Sequence, residues 1–279
     1  MALQVNSRAR TLEEKSEINN ICIPCIADKN RIIQEMNNAE KILKLYDDLS
    51  TKLENMTFSK PVETVYNPLK YAREGLEKYL RFSNGKKRIV YLGMNPGPWG
   101  MAQTGVPFGE VNAVKNFLCI NDINIKSPEN ENNLYPVKGL DCKRSEISGK
   151  RLWGFFESVY GTAEKFFADN FVLNYCPLLF LAESDAKNRV RNFTPDKLKK
   201  DERKELYFYC DSSLRDIIKI FEPEYVIGIG NFAEQRAIEA LTGINLTVRK
   251  ILHPSPASPQ SNKNWGEKVK IQLQELNLI

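Results

Sequence analysis

Four short apolar runs predict four buried strands in this chain of 279 residues. Each run stops at or beside glycine or proline, which is typical of a strand that ends at a loop. Apolar residues at helical spacing lie between the runs and predict helices. The predicted strands are Arg88–Asn95, Phe171–Cys176, Tyr225–Gly230 and Val248–His253, and the predicted helices are Lys150–Val159, Pro195–Phe221 with Thr194 as its cap, Phe232–Leu241 and Asn264–Leu276.

The alternation of strands and helices predicts an α/β fold. Right-handed crossovers between such strands build a mainly parallel sheet covered by helices on both faces. We therefore expect a three-layer α/β/α sandwich with a central, mainly parallel four-stranded sheet. Function in such sheets gathers at the carboxyl ends of the strands. Three of the four runs carry a polar residue at or near that end, namely Asn95, Asn174 and His253.

A polar, helix-forming stretch from Leu12 to Met56 precedes these strands. Its apolar residues, such as Ile32, Ile33 and Met36, are spaced three and four apart, which predicts one or two amphipathic helices that pack on a body starting later. We divide the chain into an N-terminal helical extension of residues 1–57, partly flexible, and a main domain of residues 58–279.

The overall composition is ordinary for a globular protein, with 42% hydrophobic and 27% charged residues. The net charge of +5 permits contact with a phosphate backbone but does not require it. No run of about 18 apolar residues occurs, so we expect no membrane-spanning helix. The start, MALQVNSRARTLEEK, lacks the apolar core and cleavage site of a secretory signal, so we expect the protein in the nucleus or cytosol.

The histidine and cysteine content limits the metal chemistry that is open to this chain. His253 is the only histidine, which excludes zinc hydrolases built on two or three histidines. Cys22 and Cys25 have the spacing of a redox or metal-binding pair, but no second close pair follows them. Two incidental thiols are the simpler interpretation, and we expect neither a metal nor a cofactor.

Two loops rich in glycine and proline follow the first and last predicted strands. Gly93–Gly100 forms a stiff turn whose backbone N–H groups can approach a ligand closely, and no Walker-type lysine follows it. Phe108 either stacks on a ligand or belongs to the core. His253, which begins the loop His253–Asn262, is either structural or catalytic. The amide of Asn174 is satisfied either by a structural network or by the edge of a pyrimidine.

Together these segments resemble a known family. The loop GMNPGPWGMAQTGVPFGE (Gly93–Glu110) closely resembles that of the single-strand-selective monofunctional uracil-DNA glycosylases, in the uracil-DNA glycosylase superfamily. The resemblance continues in SEISGKRLWGFF, FVLNYCPLLFLA, GNFAEQRA and ILHPSPASPQSNKNW, and extends from about Phe58 to the C-terminus. It implies that residues 58–279 are a glycosylase-like catalytic domain that removes uracil and oxidised pyrimidines, such as 5-hydroxymethyluracil, from DNA.

The resemblance implies a role for each matching site residue. Asn95 would position the attacking water, and His253 would donate a hydrogen bond to the uracil O2 as the base leaves as an anion. Asn174 would bind the uracil edge, and Phe108 would stack on the ring. Met94, through its backbone, and Gly97 complete the substrate-binding set.

The resemblance also implies DNA contacts, since the target base must leave the stack before it can react. The loop that begins at His253 would wedge into the duplex, and the segment Ser184–Lys200, helical in part, would contact phosphates. The implied DNA-binding residues are Lys187, Arg189, Arg191, Lys197, Ser255, Pro256, Ala257, Ser258 and Gln260.

Two residues depart from the vertebrate members of this family. Trp99 replaces a phenylalanine, which changes little. Ala257 replaces the arginine that fills the gap left by the flipped base, so we expect lower efficiency on double-stranded DNA. Neither active loop has a lysine beside Asn95 or His253, as expected of a monofunctional enzyme that uses water.

We expect a nuclear, monomeric protein whose partner is uracil-containing DNA, single- or double-stranded. The alternatives are a catalytically inert DNA-binding module of the same fold, which retention of both Asn95 and His253 disfavours, and a nucleotide-utilising α/β enzyme. The second alternative lacks a phosphate-binding lysine and a ribose-binding acid at a suitable spacing.

Overall fold

Strands alternate with helices through the part of the chain that this computed structural model describes, residues 36–183 and 190–279. The strands are β1 (Val62–Tyr66), β2 (Ile89–Gly93), β3 (Asn170–Asn174), β4 (Leu179–Glu183), β5 (Val190–Phe193), β6 (Tyr225–Ile229) and β7 (Thr247–Ile251). The α-helices are α1 (Asn38–Glu54), α2 (Pro68–Tyr71), α3 (Arg73–Leu80), α4 (Met101–Thr104), α5 (Val111–Asn116), α6 (Ile147–Tyr160), α7 (Ala163–Asp169), α8 (Lys200–Phe221), α9 (Asn231–Ala240) and α10 (Trp265–Glu275). Short 3-10 turns cover Arg81–Ser83, Gly139–Asp141, Pro195–Lys197 and Pro259–Ser261.

The central sheet has four parallel strands in the order β3-β2-β6-β7. These are the four strands predicted from the apolar runs, and each prediction is confirmed to within a few residues. Every residue of β2 is buried, as expected for a central strand covered on both faces. One group of contacting helices contains α1, α8 and α9, and another contains α5, α6, α7 and α10. The predicted three-layer α/β/α class is confirmed.

A second sheet, which the sequence analysis did not predict, joins three antiparallel strands in the order β1-β4-β5. β4 continues the apolar run of β3 beyond Pro177, so the pattern alone did not separate the two strands. The described portion of Ser184–Lys200, expected to be helical in part, holds the strand β5, which pairs with β4, and then the 3-10 turn Pro195–Lys197 before α8 begins at Lys200. Residues 184–189 lie outside the described residues.

The helix α8 begins five residues later than predicted. Thr194 and Pro195 begin only a 3-10 turn, after which the chain extends again at Leu198. The α-helix begins at Lys200, where the Glu202 carboxylate accepts a hydrogen bond from the Lys199 N–H at 3.3 Å. The same carboxylate accepts from the Ser59 N–H at 2.8 Å, a contact distant in sequence that no local pattern could indicate.

Within the described residues no helix is both long and apolar enough to cross a bilayer.

The helix α1 is the described part of the predicted N-terminal helical region. It buries Ile42, Tyr46, Leu49 and Leu53, spaced three and four apart, and it packs against α8. It belongs to the same compact unit as the rest of the described chain, Asn38–Ile279. The boundary at residue 57 stays a prediction, and Cys22 and Cys25 lie outside the described residues.

An aromatic core supports the loop that follows β2. Trp153 on α6 is fully buried and contacts the rings of Phe156 and Phe166 edge-on. Its Nε1–H donates a hydrogen bond to the Pro107 carbonyl at 3.2 Å. Since a buried indole N–H needs a partner, this bond fixes the residue next to Phe108 relative to the core.

Gly228 allows α9 to pack directly on β6, and we predict that Gly228→Ala destabilises the fold. A Cβ at Gly228 would lie 2.3 Å from the Glu234 backbone nitrogen, so α9 would have to move. We expect the free energy of unfolding to fall by about 1–3 kcal/mol in urea titrations. The matched control is Gly154→Ala on the exposed face of α6, where a Cβ meets nothing within 4 Å and should stabilise by roughly 0.5–1 kcal/mol. Equal effects of the two changes would contradict the packing described.

Candidate active site

The register of the parallel strands brings Asn95 and His253 to one level of the sheet. Gly93 pairs with Asn174 across β2 and β3, and β6 aligns Leu92 with Lys250 of β7. Asn95 and His253 each lie two residues beyond the ends of their strands. Strands two apart in a sheet are about 10 Å apart. The spacing of the strands therefore brings the predicted catalytic residues to the same edge of the sheet, at the ends of strands about 10 Å apart.

The amide of Asn95 is oriented by the backbone of a neighbouring segment. Its Nδ2 donates to the Leu178 carbonyl at 3.2 Å and to the Pro96 carbonyl at 3.4 Å. Asn95 is half-buried, and Met94 and Gly97 beside it are also half-buried. Because the donor atom is engaged, the amide offers its carbonyl oxygen, Oδ1, as an acceptor for water.

Phe108 and Asn174 converge on Gly93. A Cβ at Gly93 would lie 2.4 Å from Asn174 Oδ1 and 2.5 Å from Phe108 Cε2, so only glycine leaves room for both. Phe108 has a φ of +53°, a left-handed backbone that is rare for an aromatic residue. This conformation places its ring 6.3 Å from that of His253. Three of the predicted site residues thus surround one small volume.

Asn174 has one side-chain atom that no described residue satisfies. Its Nδ2 lies 3.2 Å from the Met101 sulfur, a weak acceptor, while its Oδ1 is buried without any hydrogen-bond partner. A buried, unpaired amide oxygen costs about 1–3 kcal/mol. Such a group fits a ligand that brings an N–H donor.

His253 is neutral and has a defined tautomer. The Ser255 backbone N–H donates to its Nδ1 at 3.0 Å, so the ring carries its proton on Nε2. Burial lowers the pKa of His253 to about 4. At neutral pH the ring is therefore an uncharged N–H donor, which suits the stabilisation of charge that develops on a bound group.

Three hydrogen bonds hold the backbone around His253. Trp265 Nε1 donates to the Leu252 carbonyl at 2.8 Å, and Arg151 Nη1 donates to the Pro254 carbonyl at 2.8 Å. The Ser261 hydroxyl donates to the carbonyl of His253 itself. These contacts come from α6, which is distant in sequence, and from α10 and the 3-10 turn before it, so the backbone that carries the imidazole is held from several sides.

Buried polar side chains also hold the loop that follows β2. Gln103 donates to the carbonyls of Pro98 at 2.9 Å and Pro136 at 3.1 Å, and the Thr104 hydroxyl donates to the Gly109 carbonyl at 3.0 Å. A site whose backbone is fixed in this way needs little rearrangement on binding.

The predicted DNA-binding residues lie in two places and do not belong to the cluster around Gly93. Arg191 is exposed on β5, and Lys197 is exposed in the 3-10 turn before α8. In the loop after β7, Ser255 and Ser258 are half-buried, while Pro256, Ala257 and Gln260 are exposed. Lys187 and Arg189 lie outside the described residues.

The sequence analysis missed the side chain that lies against the Asn95 loop. Glu146, immediately before α6, places its carboxyl group against Gly97 and Gly100. The segment SEISG was noted only as a matching stretch, and no local pattern indicated that its glutamate is buried. Met101 and Gly230 were also missed. Gly230, at a φ of +93°, would bring a Cβ to 3.0 Å from that of His253.

We predict that the imidazole of His253 titrates with a midpoint of about 4, well below the 6.5 of a free histidine. Since it is the only histidine, its ring protons can be followed by NMR without assignment. The protein unfolded in urea is the control and should titrate near about 6.5. Because the unfolded chain takes up this proton first, stability should fall as the pH drops from about 6.5 towards 4. A native midpoint above 6 would contradict the buried, neutral ring.

Comparisons with known proteins place the chain in a family. Residues 80–276 match the family model of the uracil DNA glycosylase superfamily. The chain is 45% identical over 244 residues to the single-strand selective monofunctional uracil-DNA glycosylase of Rattus norvegicus, with 86% of each chain covered. It is 44% identical to that of Mus musculus, covering 86% of this chain and 85% of the mouse protein.

A solved structure supports the fold. The crystal structure of wild-type Pedobacter heparinus SMUG2 superposes with a TM-score of 0.65, covering 87% of this chain and 97% of that one, at 17% identity. The family match and the 45% identity to the rat protein both cover most of the chain. This chain belongs to the uracil DNA glycosylase superfamily, within the family of single-strand selective monofunctional uracil-DNA glycosylases.

Proposed function

We propose that this protein hydrolyses the N-glycosidic bond of uracil, and of oxidised pyrimidines such as 5-hydroxymethyluracil, in single- and double-stranded DNA. The product is an abasic site in an intact strand. The observation that carries the proposal is the meeting of three uncharged groups at one sheet edge: Asn95, the unpaired Oδ1 of Asn174, and the neutral imidazole of His253.

Asn174 supplies the discrimination between bases. Its Oδ1 accepts from the uracil N3–H, which removes the unpaired state of this buried oxygen, and its Nδ2 donates to O4. Cytosine presents an acceptor at N3 and a donor at C4, so both contacts fail, at a cost of about 1–3 kcal/mol each. The Phe108 ring stacks on the pyrimidine, and the backbone around Met94 and Gly97 borders it.

His253 and Asn95 divide the chemistry between the two sides of the glycosidic bond. As the bond between C1′ and N1 breaks, its electron pair stays on the base, and the His253 Nε2–H donates to O2 of the resulting anion. The sugar becomes a cation that even weakly activated water can attack. Asn95 Oδ1 orients this water, whose oxygen bonds to C1′ while its proton passes to solvent or to the departing base.

The same residues account for monofunctional activity. An enzyme that also cuts the strand uses an amine to form a Schiff base with the sugar. The loops Gly93–Glu110 and His253–Asn262 contain no lysine, so water is the nucleophile available there.

The substrate nucleotide reaches this site by leaving the base stack. The exposed tip of the loop after β7, Pro256–Ala257, inserts where the base has left, and serines of the same loop approach phosphates. Four basic side chains add contacts to phosphates of the DNA beside the target nucleotide, namely Arg191, Lys197, Lys187 and Arg189. We place the enzyme in the nucleus, where its DNA is, and expect it to act as a monomer.

The deciding experiment is incubation of the pure protein with a single-stranded oligonucleotide that contains one uracil, in EDTA. We expect free uracil to be released and the strand to break only after alkali. Matched oligonucleotides with thymine or cytosine at that position should stay intact. Tight binding without base release would instead indicate the inert DNA-binding module, and breakage without alkali would exclude the water mechanism.

We predict that Asn95→Ala lowers the rate of uracil release by roughly a hundredfold or more, because the attacking water loses its positioning acceptor. Affinity for the oligonucleotide should change little, since Asn95 contributes little to phosphate binding. Asn245→Ala, at an exposed turn, is the matched control and should react at the wild-type rate. Single-turnover rates and gel-shift affinities measure the two quantities, and a wild-type rate for Asn95→Ala would refute its role.

A further inference from the structure

Glu146 lies in direct contact with the loop that carries Asn95. Its carboxyl group occupies the space that side chains at Gly97 and Gly100 would need. A Cβ at Gly97 would lie 1.8 Å from Glu146 Oε2, and a Cβ at Gly100 would lie 2.6 Å from the same atom. The two glycines and the carboxyl group therefore fit together as one packed unit, and Gly97 is only two residues from Asn95.

The carboxyl group is buried with few partners. The Trp99 backbone N–H favours its charged form, while Oε2 has no solvent contact and no hydrogen-bond partner among the described residues. A buried carboxyl with an unpaired oxygen costs stability, so a role in the fold alone does not explain it. The mechanism proposed above makes no use of it.

We propose that Glu146 is a positioning residue for base excision: its ionised carboxylate holds the Gly97–Gly100 turn and thereby keeps Asn95 where it orients water. This inference rests on the proposed function, because it concerns the same reaction. Glu146 acts through the loop backbone and is not required to touch the substrate.

The charged groups around Glu146 come from three segments. Glu110, at the start of α5, raises the pKa of Glu146, and its own carboxylate accepts from the Ser145 hydroxyl at 2.7 Å and the Ala113 N–H at 3.0 Å. Arg144, just before Glu146, places its guanidinium 4.0 Å from the centre of the Trp99 ring. On α6 itself, Arg151 is directed to the Pro254 carbonyl, and Lys150 is exposed.

This environment makes the charge of Glu146 depend on pH in the neutral range. Burial, the largest cause, raises its pKa to about 7, against the opposing effect of the Trp99 N–H. Above this pH the carboxylate accepts the Trp99 N–H strongly, and below it the protonated group accepts weakly. The raised pKa also means that the contribution of Glu146 itself to stability is greatest at acid pH and is lost as the pH rises from 4.5 towards 7, opposite in sign to the contribution of His253.

The test measures single-turnover uracil release from about pH 5 to about pH 9, around the neutral midpoint of this carboxyl. For the wild type we expect the rate to rise roughly tenfold with a midpoint of about 7. Glu146→Gln, which has the same shape without the charge, should stay at the low rate without this midpoint. Glu110→Gln should keep the rise but move it to lower pH, because Glu110 raises the pKa of Glu146.

Two further readouts separate positioning from a purely structural role, and neither requires activity. Trp99 fluorescence, assigned by comparison with Trp99→Phe, should change with a midpoint of about 7 in the wild type and not in Glu146→Gln. Above pH 7, Glu146→Gln should resist urea better than the wild type, so its lower rate cannot come from unfolding.

The outcomes distinguish the two proposals. Uracil release by the wild type together with an unchanged rate and pH profile in Glu146→Gln would overturn the role of Glu146 and leave the glycosylase function standing. Absence of uracil release from the wild type would overturn the proposed function. In that case a Trp99 signal without the midpoint near 7 would also overturn the link between Glu146 and the loop.

Discussion

The parallel register of β2, β6 and β7 is the constraint on which the site depends. It fixes the level at which each strand leaves the sheet, so that Asn95 and His253 follow strands that are separated by the width of one intervening strand. A shift of one residue in β7 would turn the side chain of His253 to the other face, because side chains alternate along a strand. The spacing of the proposed catalytic pair is thus a property of the backbone.

The proposed chemistry depends on uncharged groups around the base. A positively charged imidazole would attract the base even before the bond breaks, whereas a neutral N–H gains strength mainly as negative charge develops on O2. Burial and the Ser255 N–H together keep His253 in this state. The carboxyl group of Glu146 does not belong to this set. It packs against Gly97 and Gly100 of the Asn95 loop, and in our proposal its charge holds the backbone of that loop.

The central sheet and the polar residues at its strand ends could be predicted from the sequence for the same reason: both are marked by local patterns. The runs Arg88–Asn95 and Val248–His253 are apolar with a polar end, and their ends became the two sides of the site. The antiparallel sheet was not predicted because β4 has the same apolar character as β3 before it, so the pattern does not separate the two strands. Thr194 and Pro195 have the local features of a helix start, but a contact between Glu202 and Ser59, distant in sequence, fixes the start of α8 instead.

The burial of Glu146 could not be predicted for a deeper reason. A glutamate beside serine and glycine at a helix start normally faces solvent, and what buries it here is the absence of side chains at Gly97 and Gly100, some 46 to 49 positions earlier. The unpaired oxygen of Asn174 likewise appears only when the strands are assembled. In both side chains a buried oxygen lacks a hydrogen-bond partner. This lack depends on the surrounding residues, so the identity of the residue itself does not indicate it.

The loop after β7 carries the imidazole at its start and, in the proposed function, contacts the DNA with its tip. Bonds from Trp265, Ser261 and Arg151 hold its base, while its tip ends in the short side chain of Ala257. Unstacking and unpairing a base in a duplex costs a few kcal/mol, and less in a single strand. Because a loop with a small tip supplies little contact to offset the duplex cost, we expect the proposed activity to be higher on substrates whose base is already unpaired.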